Sequence, residues 1–193
     1  KGGCCRLALT DLDRAARDLF AAWCREAGCT ISVDQMGNIF ALRAGVKPSL
    51  PPVLVGSHLD TQPTGGRFDG VYGVLTGLEV IRTLNDHNIQ TQHSVEAVCW
   101  TNEEGSRFAP AMVASGVFAG VYELDYGLAR ADGDGRTMGE ELQRIGYAGN
   151  EDMGRPLHAY FEAHIEQGPI LVEEGIGIGV VTDAQGQRWY ELE

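Results

Sequence analysis

Residues 52–61 read Pro-Val-Leu-Val-Gly-Ser-His-Leu-Asp-Thr, and this segment is the strongest indication of the fold in the sequence. The apolar run at residues 52–56 is short and continuous, which is typical of a strand buried on both faces of a sheet. His58 and Asp60 follow it directly. The segment therefore predicts a buried strand that delivers an imidazole and a carboxylate to its carboxyl end.

Helical and strand patterns alternate on both sides of this segment. The periodicity predicts helices at residues 11–27, 71–84, 111–114, 137–145 and 167–174, and strands at residues 29–34, 38–43, 94–100, 157–163, 176–182 and 187–193. The region between residues 101 and 136 is otherwise rich in loops. The alternation predicts an α/β fold, in which a mixed and mostly parallel sheet is flanked by helices.

The composition narrows the class of protein. Of 193 residues, 44% are hydrophobic and 22% charged, which is typical of a globular domain and argues against a disordered chain. With 15 Lys and Arg against 27 Asp and Glu, the net charge of −12 argues against nucleic acid as a partner. Neither a membrane span nor a secretory leader is visible. The five cysteines are odd in number and lack paired metal spacing, so we expect a reducing, cytoplasmic location.

Further polar residues stand at the ends of predicted strands or the start of a helix. Asp69 precedes the second predicted helix, Glu103 and Glu104 follow one predicted strand, and His164 follows another. In open α/β sheets, the carboxyl ends of parallel strands share one edge, where ligands bind. We therefore expect these side chains to meet His58 at that edge.

This set of donors suits zinc, manganese or a similar divalent ion. Two ions at about 3.5–4 Å need a shared carboxylate, and Asp69 is the natural bridge. Glu103 and Glu104 point in opposite directions if the loop is extended, so one can bind metal while the other accepts a proton from water.

Each residue taken alone has an ordinary alternative. A histidine such as His58 is more often structural than a ligand, and Asp60 or Asp69 could simply cap a turn or helix. Adjacent glutamates are usually a solvated surface. The remaining histidines lack carboxylate neighbours at strand ends and are interpreted as structural: His87, His93 and His158.

Four blocks in this order resemble the M20-type metallohydrolases. They are Gly-Ser-His-Leu-Asp-Thr at 56–61, Gly-Arg-Phe-Asp-Gly at 66–70, Thr-Asn-Glu-Glu-Gly at 101–105 and His-Ile-Glu-Gln-Gly-Pro at 164–169. The resemblance runs from about residue 10 to residue 193. It is strongest to the amidase/hydantoinase/carbamoylase branch, which includes N-carbamoyl-L-amino-acid hydrolase, allantoate amidohydrolase and β-ureidopropionase. Only eight residues separate Asp60 from Asp69, whereas the peptidase members usually have a longer insert there.

The resemblance implies a zinc-exopeptidase-like catalytic domain that holds two divalent ions, either zinc or manganese, cobalt or nickel. His58 and His164 would bind one ion, Asp69 would bridge to the second, and Glu104 would bind the second.

The same resemblance implies the catalytic roles. Glu103 would be the general base, Asp60 would orient a ligand histidine, and Gln167 would contact the ureido or carboxylate end of the substrate. The expected activity is hydrolysis of a linear ureido or carbamoyl C–N bond, in a substrate of the N-carbamoyl-L-amino acid or allantoate type. The alternatives are a metallo-aminopeptidase or N-acyl amino-acid deacylase of the same superfamily, and a non-catalytic fragment that lacks the last metal ligand.

The resemblance also implies how the domains are arranged. Residues 1–182 would be the N-terminal part of the catalytic domain, and residues 183–193 the first strand of a lid and dimerisation domain. The rest of that domain and a further histidine ligand are expected beyond residue 193. We therefore expect a small-molecule substrate and a homodimer for the full-length protein, and little activity for these 193 residues alone.

Overall fold

The computed structural model describes residues 2–183 and residue 186. The helices are α1 (Asp11–Glu26), α2 (Val71–Asp86), α3 (Val113–Phe118), α4 (Leu124–Leu128), α5 (Met138–Ile145) and α6 (Ile170–Glu174). The strands are β1 (Thr30–Val33), β2 (Ile39–Arg43), β3 (Val53–His58), β4 (Val95–Trp100) and β5 (Ala159–Phe161).

The five strands form one mixed sheet in the order β1-β2-β4-β3-β5. Strand β3 runs parallel to both β4 and β5, whereas β1 pairs antiparallel with β2, and β2 antiparallel with β4. The predicted mixed α/β sheet flanked by helices is therefore confirmed. Its parallel part is the trio β4-β3-β5 on one side, and the hairpin of β1 and β2 adds the antiparallel part on the other.

Helices α1 and α2 pack on one face of the sheet. Thr10 begins α1 as its N-cap, because its side chain accepts a hydrogen bond from the backbone N–H of Asp13. Helix α2 approaches the sheet at Gly77, where an added Cβ would lie 2.5 Å from the Val55 carbonyl oxygen. This close approach requires glycine. At Gly73 an added Cβ would lie 2.6 Å from the Ser57 Cβ, so the start of α2 lies directly against the end of β3.

The opposite face of the sheet carries an aromatic cluster of Phe40, Trp100 and Phe118. The segment between β4 and β5 forms its own core around α3 and α5. Helix α5 begins with the predicted capping box, in which the Thr137 side chain and the Glu140 side chain each accept from the other residue's backbone N–H.

Several predicted boundaries differ from the structure. Helix α4 lies within the segment predicted to be loop, α6 begins at Ile170 rather than residue 167, and β5 is shorter than its prediction. The strand predicted at 176–182 is wrong, because these residues form no ladder with any described strand. Residues 187–193, where a further strand is predicted, lie outside the described residues, so the proposed second domain stays a prediction.

The longest described helices have 16 residues. None in the described part of the chain is both long and apolar enough to cross a membrane.

Candidate metal centre

His58 is the last residue of β3, and its side chain is buried against the start of α2. Gly70 makes this contact possible: its φ is +67°, and an added Cβ would lie 2.5 Å from the imidazole Nδ1. The His58 Nδ1 lies 2.8 Å from the Asp60 carbonyl oxygen, which accepts its hydrogen. That contact assigns the proton to Nδ1 and leaves the Nε2 lone pair free to bind a metal.

Three donor residues meet at the carboxyl end of β3, as the sequence predicts. His58, Asp69 and His164 each offer a ligand atom, and these atoms lie within 4.8 Å of one another. The Asp69 Oδ1 lies 3.3 Å from the His164 Nε2 and 4.0 Å from the His58 Nε2. Two imidazole nitrogens and a carboxylate oxygen are a ligand set that suits one divalent ion.

His164 is presented in the same way as His58. Its Nδ1 lies 2.7 Å from the Ile165 carbonyl oxygen, so its Nε2 also faces the centre. The His164 side chain is 38% exposed, whereas that of His58 is 2% exposed. The centre therefore has one buried and one open side, as a site that admits a substrate requires.

Asp60 holds the loop that follows β4. Its two carboxylate oxygens accept the backbone N–H groups of Glu103 and Glu104, each at 3.1 Å. Burial raises the pKa of the Asp60 carboxyl to about 6, while His58 and the two amides oppose the rise. Asp60 thus contacts the ligand His58 through its backbone and the two glutamates through its side chain. Sequence reasoning missed the second contact, because no sequence pattern pairs a carboxylate with amides 43 residues away.

Glu103 lies beside the centre. Its Oε2 is 3.3 Å from the His58 Nε2. Burial raises the pKa of Glu103, His58 opposes the rise, and the carboxylates of Asp60 and Glu104 add to it. A carboxylate with a raised pKa is a better proton acceptor near neutral pH.

The same residue also lines a cavity of about 700 Å³ on the side of β4 and β5 away from α2. Other lining residues are Trp100, Phe118, Tyr122, Leu157, Tyr160 and Glu162. Glu103 therefore faces open space as well as the histidine, which a group that exchanges protons with a substrate must do.

Glu104 lies outside the group of three donors that the described residues form. Its Oε2 accepts a hydrogen bond from the Gln62 side chain at 3.1 Å, and its Oε1 is buried with no hydrogen-bond partner in the described part of the chain. A buried carboxylate oxygen without a partner is costly, and a nearby cation would satisfy it. The donor set therefore fits divalent metal, and the role of Glu104 as a ligand stays a prediction.

Gln167 contacts the centre through its side chain. Its Nε2 donates to the Asp69 Oδ2 at 2.8 Å, and its backbone is left-handed, with φ of 56°. The two oxygens of Asp69 thus face different partners, the histidines on one side and the Gln167 amide on the other. The predicted contact of Gln167 with a substrate stays a prediction.

The likeness of the chain to known proteins agrees with this centre. A family model described as peptidase family M20/M25/M40 matches residues 54–193. The N-carbamoyl-L-amino-acid amidohydrolase of Rhizobium meliloti is 59% identical over 192 residues, which are 99% of this chain and 46% of that protein. The ureidoglycolate hydrolase of Arabidopsis thaliana is 38% identical over 187 residues, which are 92% of this chain and 39% of that protein.

A solved structure is also similar. It is an amidase of the hydantoinase/carbamoylase family from Burkholderia multivorans, which has 70% sequence identity and a TM-score of 0.89 over 90% of this chain and 43% of that one. The chain thus spans less than half the length of these relatives.

Proposed function

The chain belongs to peptidase family M20/M25/M40, and from this membership we propose that it carries the metal centre of a hydrolase that cleaves linear ureido or carbamoyl C–N bonds. The convergence of His58, Asp69 and His164, with Glu103 at 3.3 Å from His58, is the observation that carries the proposal. The preferred substrate is an N-carbamoyl-L-amino acid, because the relative with that activity in its name is 59% identical over nearly the whole chain.

The proposal includes two divalent ions. His58, His164 and Asp69 would hold the first, and Asp69 with Glu104 would contribute to the second. When bound, such ions polarise the carbamoyl oxygen and lower the pKa of water. The nitrogen and oxygen donors accept zinc, manganese, cobalt or nickel.

The residues of the chain itself supply the proton transfer. Glu103 accepts the proton of the attacking water and later delivers it to the leaving nitrogen. The raised pKa of Glu103 supports both roles, because a carboxyl whose pKa lies closer to neutral pH takes up the proton more readily and can still release it. Asp60 keeps Glu103 in place through the backbone amide of that residue. Hydrolysis would release ammonia, carbon dioxide and the amino acid.

Ureidoglycolate is the second candidate substrate, since the Arabidopsis relative carries that activity in its name. Both candidates are small ureido acids, so the same centre would act on either. We also propose that Gln167 contacts the ureido or carboxylate end of the substrate, and that the full-length protein is a cytoplasmic homodimer.

The test uses the full-length protein, stripped with a chelator and reloaded separately with Zn²⁺, Mn²⁺, Co²⁺ or Ni²⁺. Ammonia release is measured with N-carbamoyl-L-amino acids, ureidoglycolate and allantoate. Dipeptides and N-acetyl amino acids, assayed for released amino acid, represent the peptidase and deacylase alternatives. We expect metal-dependent turnover of a ureido acid and at least 100-fold slower cleavage of the others. Faster cleavage of a dipeptide or an N-acetyl amino acid would refute the proposal.

A further inference from the structure

The pairing between β3 and β5 ends before either histidine. The ladder joins Val53–Val55 to Ala159–Phe161, whereas His58 and His164 each lie three residues further on. The end of β3 remains paired with β4 as far as His58, but no ladder hydrogen bond joins the last residues of β3 to the residues that follow β5. A different contact must hold the last residues of β3 beside the residues that follow β5.

Glu162 provides that contact. One oxygen of its carboxylate accepts a hydrogen bond from the Ser57 hydroxyl, and the other accepts one from the Tyr160 hydroxyl at 2.6 Å. Ser57 immediately precedes His58 and is buried, so a hydrogen bond to its side chain holds the end of β3. Glu162 precedes His164 by two residues.

Tyr160 extends this contact to the backbone of β3. Its hydroxyl oxygen lies 3.1 Å from the Gly56 carbonyl oxygen and accepts a hydrogen bond from the Trp100 indole N–H at 3.1 Å. A hydroxyl has one hydrogen, which belongs mainly to the shorter contact with Glu162. The Glu162 carboxylate thus bonds to side chains of β3 and β5 just beyond the end of the ladder between these strands. Through Tyr160 it is also linked to Trp100 at the end of β4.

We propose that Glu162 is a positioning residue that fixes the separation of His58 and His164. The inference rests on the proposed metal centre, because its effect is exerted through the two histidine ligands. Groups that orient metal ligands typically change metal affinity 10–100-fold when they are removed. Glu162 does so just beyond the end of the ladder between β3 and β5, without itself being required as a ligand.

The test compares Glu162→Gln, Ser57→Ala and the double variant in the full-length protein. Glutamine keeps one acceptor oxygen and replaces the other with a donor, so it cannot accept from both hydroxyls. Two measurements are made: the dissociation constant for Zn²⁺ by chelator competition, and the visible absorption spectrum of the Co²⁺-loaded protein. We expect Glu162→Gln to weaken Zn²⁺ binding 10–100-fold and to alter the Co²⁺ spectrum. Ser57→Ala should have a smaller effect in the Glu162→Gln background than in the wild type, because Glu162→Gln already weakens the hydrogen bond that the two residues share.

Two control variants separate positioning from general stability. Glu174→Gln makes the same chemical change on the exposed end of α6 and should leave both measurements unchanged. Ile145→Val shortens a buried side chain in the core around α3 and α5. It should lower the melting temperature without changing the Co²⁺ spectrum. Unchanged Zn²⁺ affinity and Co²⁺ spectrum in Glu162→Gln would overturn the proposal, as would an equal spectral change in Ile145→Val.

The proposed function can fail separately. A wild-type protein that binds Co²⁺ but hydrolyses no ureido acid would refute the activity, while the Glu162→Gln comparison would still decide the positioning role. A wild-type protein that binds neither Zn²⁺ nor Co²⁺ would overturn both.

Discussion

Asp60→Asn tests the contact that joins the end of β3 to the loop after β4. In the wild-type structure, each Asp60 oxygen accepts one backbone N–H, from Glu103 and from Glu104. Asparagine offers one oxygen, so its amide NH₂ must face the second N–H. One hydrogen bond is lost, one buried donor is left without a partner, and the remaining bond is no longer charge-assisted.

The size of the effect follows from these losses. A buried unsatisfied donor costs about 1–3 kcal/mol, and a hydrogen bond to a charged group exceeds a neutral one by about 0.5–2 kcal/mol. These losses total about 1.5–5 kcal/mol, and they are partly offset because asparagine also removes the buried charge whose burial raises the pKa of Asp60. The loop can avoid part of this cost by moving, but then Glu103 leaves its position 3.3 Å from the His58 Nε2. A displacement of about 1 Å at a catalytic group can cost on the order of 10²-fold in rate.

The assay uses the full-length protein with saturating metal. Urea denaturation gives the free energy of unfolding, and ammonia release from a ureido acid gives kcat. We expect Asp60→Asn to lose on the order of 10²-fold in kcat, with a smaller loss of stability than the hydrogen bonds alone would give, because the buried charge is removed as well.

Asp132→Asn is the control, because that carboxylate also holds a loop, the one before α5: its Oδ1 accepts two backbone N–H groups and its Oδ2 accepts a hydrogen bond from the Arg107 side chain. It should lower stability with kcat unchanged. A wild-type kcat in Asp60→Asn, or an equal loss of kcat in Asp132→Asn, would refute the reasoning.

Four other substitutions have defined outcomes. Glu103→Gln should lose about 10²–10⁴-fold in kcat with metal content unchanged, because the amide cannot accept a proton. Glu104→Gln should instead lower the metal content measured by elemental analysis. If Glu103→Gln lost metal and Glu104→Gln did not, the two assigned roles would have to be exchanged. Gly70→Ala places a Cβ against the His58 ring at positive φ, so it should cost at least about 1 kcal/mol in the free energy of unfolding and weaken Zn²⁺ binding; an unchanged melting temperature and affinity would contradict the packing. Burial raises the pKa of Asp34 to about 6, above its ordinary 3.8, so the folded state binds this proton more tightly than the unfolded state. The stabilisation that this tighter proton binding gives the folded state is complete below about pH 4 and is lost as pH rises through 6, by about 2–3 kcal/mol. In urea titrations, the difference in the free energy of unfolding between wild type and Asp34→Asn should change with pH in the same way. A difference that does not change with pH would refute the prediction.

The convergence of His58, Asp69 and His164 could be predicted because it follows from topology. Parallel strands end at one edge, so polar residues just after buried strands meet there whatever the details of packing. The segment at 52–61 carried this prediction, since its apolar run identifies β3 and its two polar residues follow at once.

The predictions that failed depended on partners far away in the chain. The segment from 176 to 182 alternates apolar residues with glycine, which is typical of a strand, yet a strand also needs a neighbour to pair with. The described residues give it none. The short α4 was missed for a related reason: five residues have little periodicity of their own, and Gly127 in that helix packs closely against Met36.

The side-chain contacts of Asp60 and Glu162 likewise could not be predicted from the sequence, and the two carboxylates join different pairs of segments. Asp60 joins the end of β3 to the loop that carries Glu103, whereas Glu162 joins the end of β3 to the residues before His164. Loss of Asp60 should therefore act mainly on Glu103, the proposed proton-transfer residue, and appear in kcat. Loss of Glu162 should act mainly on the spacing of the ligands and appear in metal affinity. Both act on the end of β3, so the topology that brings the ligands together would be sharpened by side-chain contacts beyond the reach of its backbone ladders.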